Sequence, residues 1–174
     1  MPKSGFTLIE LLVVIAIMAI VGVFTLANYK SFGEDQNLKN AVLDIQSQLR
    51  TAQTNATTNV KCNTLFGATW QVKFTDTKTT NLNCQEPQPP LLVPKKTLTL
   101  GTNIAIQSVS GTGSSCPSAL SFTINFAPVS GKISIKDNTR DYPNCTLLTI
   151  TLKNTKTNST KALVIEKGGR IYAQ

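Results

Sequence analysis

The chain has nine acidic side chains and no histidine. Histidine is the usual general base, the usual activator of a nucleophile and the commonest metal ligand, so three common routes to catalysis lack their residue. The acids are scattered and form no convincing acid–base pair. Asp137-Asn-Thr-Arg-Asp141 comes nearest. Its oxygens could ligate calcium, or Asp137 could close an Asx-type turn, the commoner use of such a stretch. Gly168-Gly169 lacks a following Lys-Ser/Thr and reads as a turn, not a phosphate loop. Asn55-Ala-Thr57, Asn144-Cys-Thr146 and Asn158-Ser-Thr160 fit the glycosylation acceptor pattern, in a chain so rich in Asn and Thr that chance matches are expected. A familiar enzyme is therefore not expected, and neither is a cofactor. A membrane-anchored enzyme with an unfamiliar site is kept as a third reading.

Four cysteines remain: Cys62, Cys84, Cys116 and Cys145. No Cys-x-x-Cys pair occurs, which weakens zinc and thioredoxin-like readings, and no histidine is available to activate a thiol. Two disulfides in an oxidising compartment fit better. Three pairings exist for four cysteines. The sequential one, Cys62–Cys84 with Cys116–Cys145, is favoured because it closes short loops, each worth about 3 kcal/mol on the chain-entropy estimate.

The net charge is +8. The excess falls late, where Lys132, Lys136, Arg140, Lys153, Lys156, Lys161, Lys167 and Arg170 face only Asp137, Asp141 and Glu166. Such a surface can attract nucleic acid or anionic lipid, or it can simply be a solvated face.

The elements that must carry these groups differ along the chain. Leu11 to Ala27 contains no charged residue, yet Glu10 opens that run. Lys3 precedes it, as in a secretory signal, but the small residue, Gly5, comes before the apolar run and no small-residue cleavage site follows it. As a helix, Phe6 to Ser31 is about 39 Å long, against a hydrocarbon layer of about 30 Å. Lys3 favours a cytoplasmic N-terminus and an exported body. Leu38, Val42, Ile45, Leu49, Ala52 and Ala56 then recur at helical spacing. This stripe predicts either packing against the molecule's own sheet or a coiled-coil seam. Gly22 and Gly33 are weak points, each costing about 1 kcal/mol against alanine. After Asn59 the period changes to two. Alternation at Trp70–Phe74, Ile104–Val109, Leu120–Phe126, Ile133–Ile135, Leu148–Leu152, Leu163–Ile165 and Ile171–Tyr172 predicts about seven short strands in one or two antiparallel sheets. The proline-rich stretch from Gln85 to Lys96 reads as an extended loop, and Gly111 to Ser115 as a turn or flexible loop.

Lys3-Ser-Gly5-Phe6-Thr-Leu-Ile-Glu10, leading into Leu11-Leu-Val-Val-Ile-Ala-Ile17, resembles the class III signal of type IV pilins and type II secretion pseudopilins. The resemblance implies cleavage between Gly5 and Phe6 by a prepilin peptidase, with N-methylation of Phe6. It also implies a pilin-like α+β fold: a leader at 1–5, a long helix at 6–59 with about 6–29 transmembrane, and an antiparallel β domain at 60–174. Gly67-Ala-Thr-Trp70-Gln-Val72-Lys-Phe74, Leu120-Ser-Phe122 through Phe126-Ala-Pro-Val-Ser-Gly131, and Leu163-Val-Ile165 to Gly169-Arg170-Ile171 are similar to the pseudopilin H and FimT group of minor subunits. So is Leu49-Arg50-Thr-Ala-Gln53, although Gln53 stands where that group commonly has arginine. The implied function is a structural filament subunit, minor by this likeness, with a major pilin as an alternative. Implied partners are other pilin or pseudopilin subunits, the peptidase, an inner-membrane assembly platform and membrane lipid. The implied location is the inner membrane, then a periplasmic or extracellular filament.

Some members of the FimT branch bind DNA for uptake through a basic C-terminal segment. Here Lys161, Lys167 and Arg170 are the candidate contacts, but the closing Lys167-Gly-Gly-Arg170-Ile-Tyr172-Ala-Gln174 holds few cations. Glu10 has two readings. It can meet the positive end of the helix dipole. By the resemblance, it can instead pair with the methylated Phe6 ammonium of a neighbouring subunit, where an unpaired buried charge would be strongly unfavourable.

Overall fold

The structure is a computed structural model that describes residues 5, 7–113 and 115–174, with backbone alone over 23–31. One helix, α1, spans Leu8–Thr57. Its start is fixed by Thr7, whose hydroxyl accepts from the N–H of Glu10 while the Glu10 carboxylate accepts from the N–H of Thr7. This reciprocal pair satisfies donors that the first turn leaves open. No proline follows until the body, and the helix passes through Gly22 and Gly33 unbroken. At its far end the Ala56 carbonyl accepts from the N–H of Val129, 2.8 Å away, so a distant turn closes the helix. That turn comes close. A Cβ at Gly131, where φ is +61°, would sit 2.5 Å from the Thr57 side chain.

Among the described residues, nine strands follow in two antiparallel sheets. β1 (Thr69–Phe74), β2 (Thr79–Gln85), β3 (Leu92–Thr99), β5 (Phe122–Phe126) and β6 (Ile133–Lys136) form one sheet, ordered β3-β2-β1-β5-β6. β4 (Ile104–Gly113), β7 (Cys145–Asn154), β8 (Thr160–Glu166) and β9 (Ile171–Ala173) form the other, ordered β4-β7-β8-β9. The architecture is α+β, a long helix laid against both sheets. Alternation produces the core. On β7, Leu148, Ile150 and Leu152 are fully buried while their neighbours are partly exposed. On the other sheet, Phe74 stacks on Phe122 with ring centroids 4.5 Å apart. Leu38, Val42, Ile45, Leu49, Ala52 and Ala56 all lie in this same core. The helical stripe therefore faces the molecule's own sheets, not a coiled-coil partner.

Three expectations are corrected. The described residues hold nine strands, not about seven, because the sequence from 79 to 99 holds β2 and β3. The reading of Gln85–Lys96 as loop fails from Leu92 onward. Pro94 is tolerated because β3 is an edge strand and the pairing shifts beside it, from Leu82↔Lys96 to Asn83↔Pro94. Proline removes a ladder donor, and an edge with a bulge is where that costs least. Gly111–Gly113 is likewise no free turn; it ends β4, paired to Leu148, Leu147 and Cys145. Gly111 is small for a reason: a Cβ there would lie 2.5 Å from Cys116 Sγ.

Candidate functional site

The N-terminal half of α1 is built unlike any other part of the chain. Leu8, Ile9, Leu11, Leu12, Val13, Val14, Ile15, Ile17, Met18, Ile20 and Val21 are all exposed, so the apolar surface runs round the whole helix. A helix that is hydrophobic on every side needs a bilayer or a bundle around it. Among the described residues no helix is long and apolar enough to cross a membrane. The expected span of 6–29 continues into side chains outside the described residues. Phe6 also lies outside them, and with it the expected methylation and one side of the expected cut; Gly5 is exposed.

Glu10 stands at the third helical position. Its Oε2 accepts from the Thr7 N–H at 3.0 Å and from the Thr7 hydroxyl at 2.9 Å. All of these capping bonds fall on one oxygen. Oε1 takes none of them.

Where the helix meets the body, Glu34 and Asp35 tie it down. Glu34 accepts from the Asn154 amide at 3.0 Å and from Lys156 Nζ at 3.0 Å, and Asp35 accepts from the Ser159 hydroxyl at 2.6 Å. The Asn154 amide, then Lys156, hold the Glu34 carboxyl below its ordinary range. The sequence reading singles out neither acid. These partners lie about 120 residues away, Asn154 at the end of β7 and Lys156 and Ser159 in the turn after it. The available signal was the acid pair itself, sitting where the apolar pattern changes from all-round to one-sided.

The cysteines are joined as Cys62–Cys84 and Cys116–Cys145, with Cα atoms 5.6 and 4.9 Å apart. Glu86 completes the first loop. Its buried carboxylate accepts from the N–H groups of Thr64 at 2.8 Å, Leu65 at 3.2 Å and Asn63 at 3.3 Å. The Thr64 bond leads in holding its pKa below the ordinary range.

Asp137 has its oxygens engaged within the chain. It accepts from the Tyr142 hydroxyl at 2.5 Å and from the N–H groups of Thr139 and Arg140 at 2.7 Å each. The Tyr142 bond, then Thr139, hold its pKa far below the carboxylate norm. This is an Asx-type turn, and Asp141 contributes a backbone bridge to Lys136 instead of a second carboxylate. Among the described residues no group of His, Cys, Asp and Glu is arranged to hold a metal.

The candidate DNA contacts are not brought together. Lys161 lies at the start of β8, near Asp35 and Lys39 of the helix. Lys167 and Arg170 follow the far end of that strand, about 20 Å away at 3.3 Å per residue. Lys167 Nζ donates to the Pro143 carbonyl at 2.6 Å, and Arg170 lies 3.6 Å from Glu166. Arg50 and Gln53 serve another purpose: they donate to the Ile171 and Gly169 carbonyls and pin the β9 end to the helix.

No curated protein and no solved structure matches the chain. Residues 1–26 match the prokaryotic N-terminal methylation motif. That match supports a type IV pilin-like or pseudopilin subunit, with the association to other pilin subunits, the prepilin-peptidase processing and the membrane-anchored export that such a signal implies.

Proposed function

We propose that the chain is a minor subunit of a type IV pilus-like or type II secretion filament. The peptidase cuts between Gly5 and Phe6, removes a leader of residues 1–5 and methylates Phe6. The helix then holds the subunit in the inner membrane, with its N-terminus cytoplasmic and the β body exported, until an assembly platform draws it into the polymer. Glu10 pairs there with a neighbour's Phe6 ammonium. One observation carries this reading: within the methylation motif over residues 1–26 a helix starts at Leu8, and its described side chains to Val21 are apolar on every side apart from one carboxylate. Likeness of the body segments to the pseudopilin H and FimT group supports the minor role. DNA binding is not favoured, because Lys161 stands apart from Lys167 and Arg170.

Mass spectrometry of the chain isolated from membranes tests the proposal. The mature protein is expected to begin at a methylated Phe6. An intact Met1, or a terminus beyond Ala27, overturns it.

A further inference from the structure

The end of the body farthest from the apolar half of α1 puts several apolar side chains into water. Thr57 stands about 35 Å beyond Glu34 along the helix, at 1.5 Å per residue. Three segments meet there: the end of the helix with Asn59 and Val60, the loop 61–67, and the turn 128–131. The Ala56 carbonyl accepts from the N–H groups of Asn59 and Val129, at 3.2 and 2.8 Å, and Asn59 Oδ1 accepts from the N–H of Gly67 at 2.7 Å. Val60, Leu65, Phe66 and Val129 are 41, 38, 59 and 70% exposed.

Neither the loop nor the turn is slack. The Cys62–Cys84 disulfide and the Glu86 carboxylate, which accepts from three loop N–H groups, fix the loop that leaves Leu65 and Phe66 in water. Val129 is the odder residue. Its φ is +62°, a region that branched side chains avoid. Its N–H closes the helix, which any residue but proline does equally well. Strained backbone of this kind gathers at functional positions. Burial does not offset the strain here, because the side chain is mostly exposed. Asparagine or glycine suits the backbone better, and valine adds only an apolar tip.

Charge at this end has one sign. Lys61 Nζ lies 4.7 Å over the centroid of the Phe66 ring, and Lys132 follows the turn; both lysines are exposed. Residues 57–67 and 128–132 contain no acid. Glu86, which reaches into the loop, is buried. Apolar tips beside lysines match a bilayer with anionic headgroups, in which the tips enter the acyl boundary and the ammonium groups meet phosphates. An acidic protein surface satisfies the lysines, but it needs a matching shape to receive tips raised on two separate turns. A bilayer deforms to receive them.

We propose that this end of the body docks on an anionic membrane surface. Phe66 and Val129 enter the headgroup region, with Val60 and Leu65 beside them, and Lys61 and Lys132 meet headgroup phosphates. Val21 and Thr57 are about 54 Å apart along α1. The surface is therefore a bilayer other than any that surrounds the apolar half of the helix. The inference does not depend on filament membership.

The test holds the full chain in nanodiscs of neutral phosphatidylcholine and adds sucrose-loaded vesicles, made of phosphatidylcholine alone or with about one-third phosphatidylglycerol. Pelleting with the anionic vesicles is expected to exceed pelleting with the neutral ones at least about 10-fold. Phe66→Ser with Val129→Asn should weaken the anionic docking by about 10-fold or more, and so should Lys61→Gln with Lys132→Gln. Lys39→Gln with Lys95→Gln removes two exposed lysines elsewhere and should leave docking unchanged. Val129→Asn alone should melt no lower than wild type, because asparagine accepts a positive φ. Any of the following overturns the proposal: no docking to anionic vesicles, equal docking to neutral ones, docking that survives the Phe66 and Val129 changes, equal weakening by the two lysine pairs, or a lower melting temperature for Val129→Asn. Equal capture of the chain by poly-glutamate beads also overturns it, and assigns this end to an acidic protein surface.

Discussion

On the proposed reading, Glu10 meets two demands with two oxygens. Oε2 takes the N–H and the hydroxyl of Thr7, which closes the first turn of α1. Oε1 takes none of those bonds, and an ammonium brought from a neighbouring subunit can reach it without dismantling the cap. The two roles separate by mutation. Thr7→Ala removes the hydroxyl from the cap, costs about 0.5–2 kcal/mol of helix stability and leaves the carboxylate charged. Glu10→Ala removes both functions. Thr7→Ala is expected to enter filaments close to wild-type level, whereas Glu10→Ala stays in the membrane fraction. Quantitative immunoblotting of sheared filaments against membranes reads the difference. Equal loss in the two variants would make Glu10 a helix cap and nothing more.

At the scale of elements, the lower half of α1 is held by one face. Leu49 is fully buried against the sheets, while Leu43, six positions earlier, is 44% exposed. Leu49→Ala should cost about 2–5 kcal/mol, the range for a buried leucine whose site relaxes only partly. Leu43→Ala should change stability by less than about 0.5 kcal/mol. The single tryptophan, Trp70, is buried in β1 and reports unfolding of the body by fluorescence in denaturant, without interference from the stem. Similar midpoints for the two variants would mean that the helix is not anchored through this stripe. That stripe was legible in the sequence because helical spacing and burial share one cause. The alternating strands β1, β5, β7 and β8 were legible for the same reason. β2 was not. Its Thr80 and Asn83 are buried polar residues, and Thr80 is accommodated by donating to Gln48 Oε1 at 2.6 Å across the helix–sheet contact. No local pattern announces a strand that buries Thr80 and Asn83 beside Leu82 and Cys84. β3 was obscured by Pro94, which is tolerated only because topology puts the strand at an edge. The tie from Glu34 to Asn154 has the same character, since it depends on which distant segments meet.

Over the whole molecule, the acids that matter for stability fasten loops. Glu34 binds the helix to the end of β7, Glu86 binds the loop after Cys62, and Asp76 closes the β1–β2 turn through the N–H groups of Lys78 and Thr79. Asp137 does the same before Tyr142. Each of these carboxyls is held below its ordinary pKa, led by Asn154, Thr64, Lys78 and Tyr142 respectively. A carboxyl with a lowered folded pKa binds its proton less readily folded than unfolded. Its stabilisation is complete above the unfolded value, about 4, and is lost as pH falls through the folded one. Tyr142 has the opposite sign. Its bond to Asp137 raises the phenol pKa, so the stabilisation is complete below about 10 and is lost as pH rises through the folded value. With no histidine, no side chain with an ordinary pKa titrates between these limits. The melting temperature of the body should therefore be level from about pH 5 to 9 and fall on both sides. Tyr142→Phe removes the shared bond. The folded Asp137 pKa then moves back toward the ordinary range, and the alkaline loss due to the phenol disappears. The gap in melting temperature between wild type and Tyr142→Phe is expected to be widest on the plateau. It should narrow below about pH 4 and again above about pH 10. A gap that stays constant from pH 3 to 11 would show that Tyr142 contributes through packing alone and that the Asp137 turn closes without it.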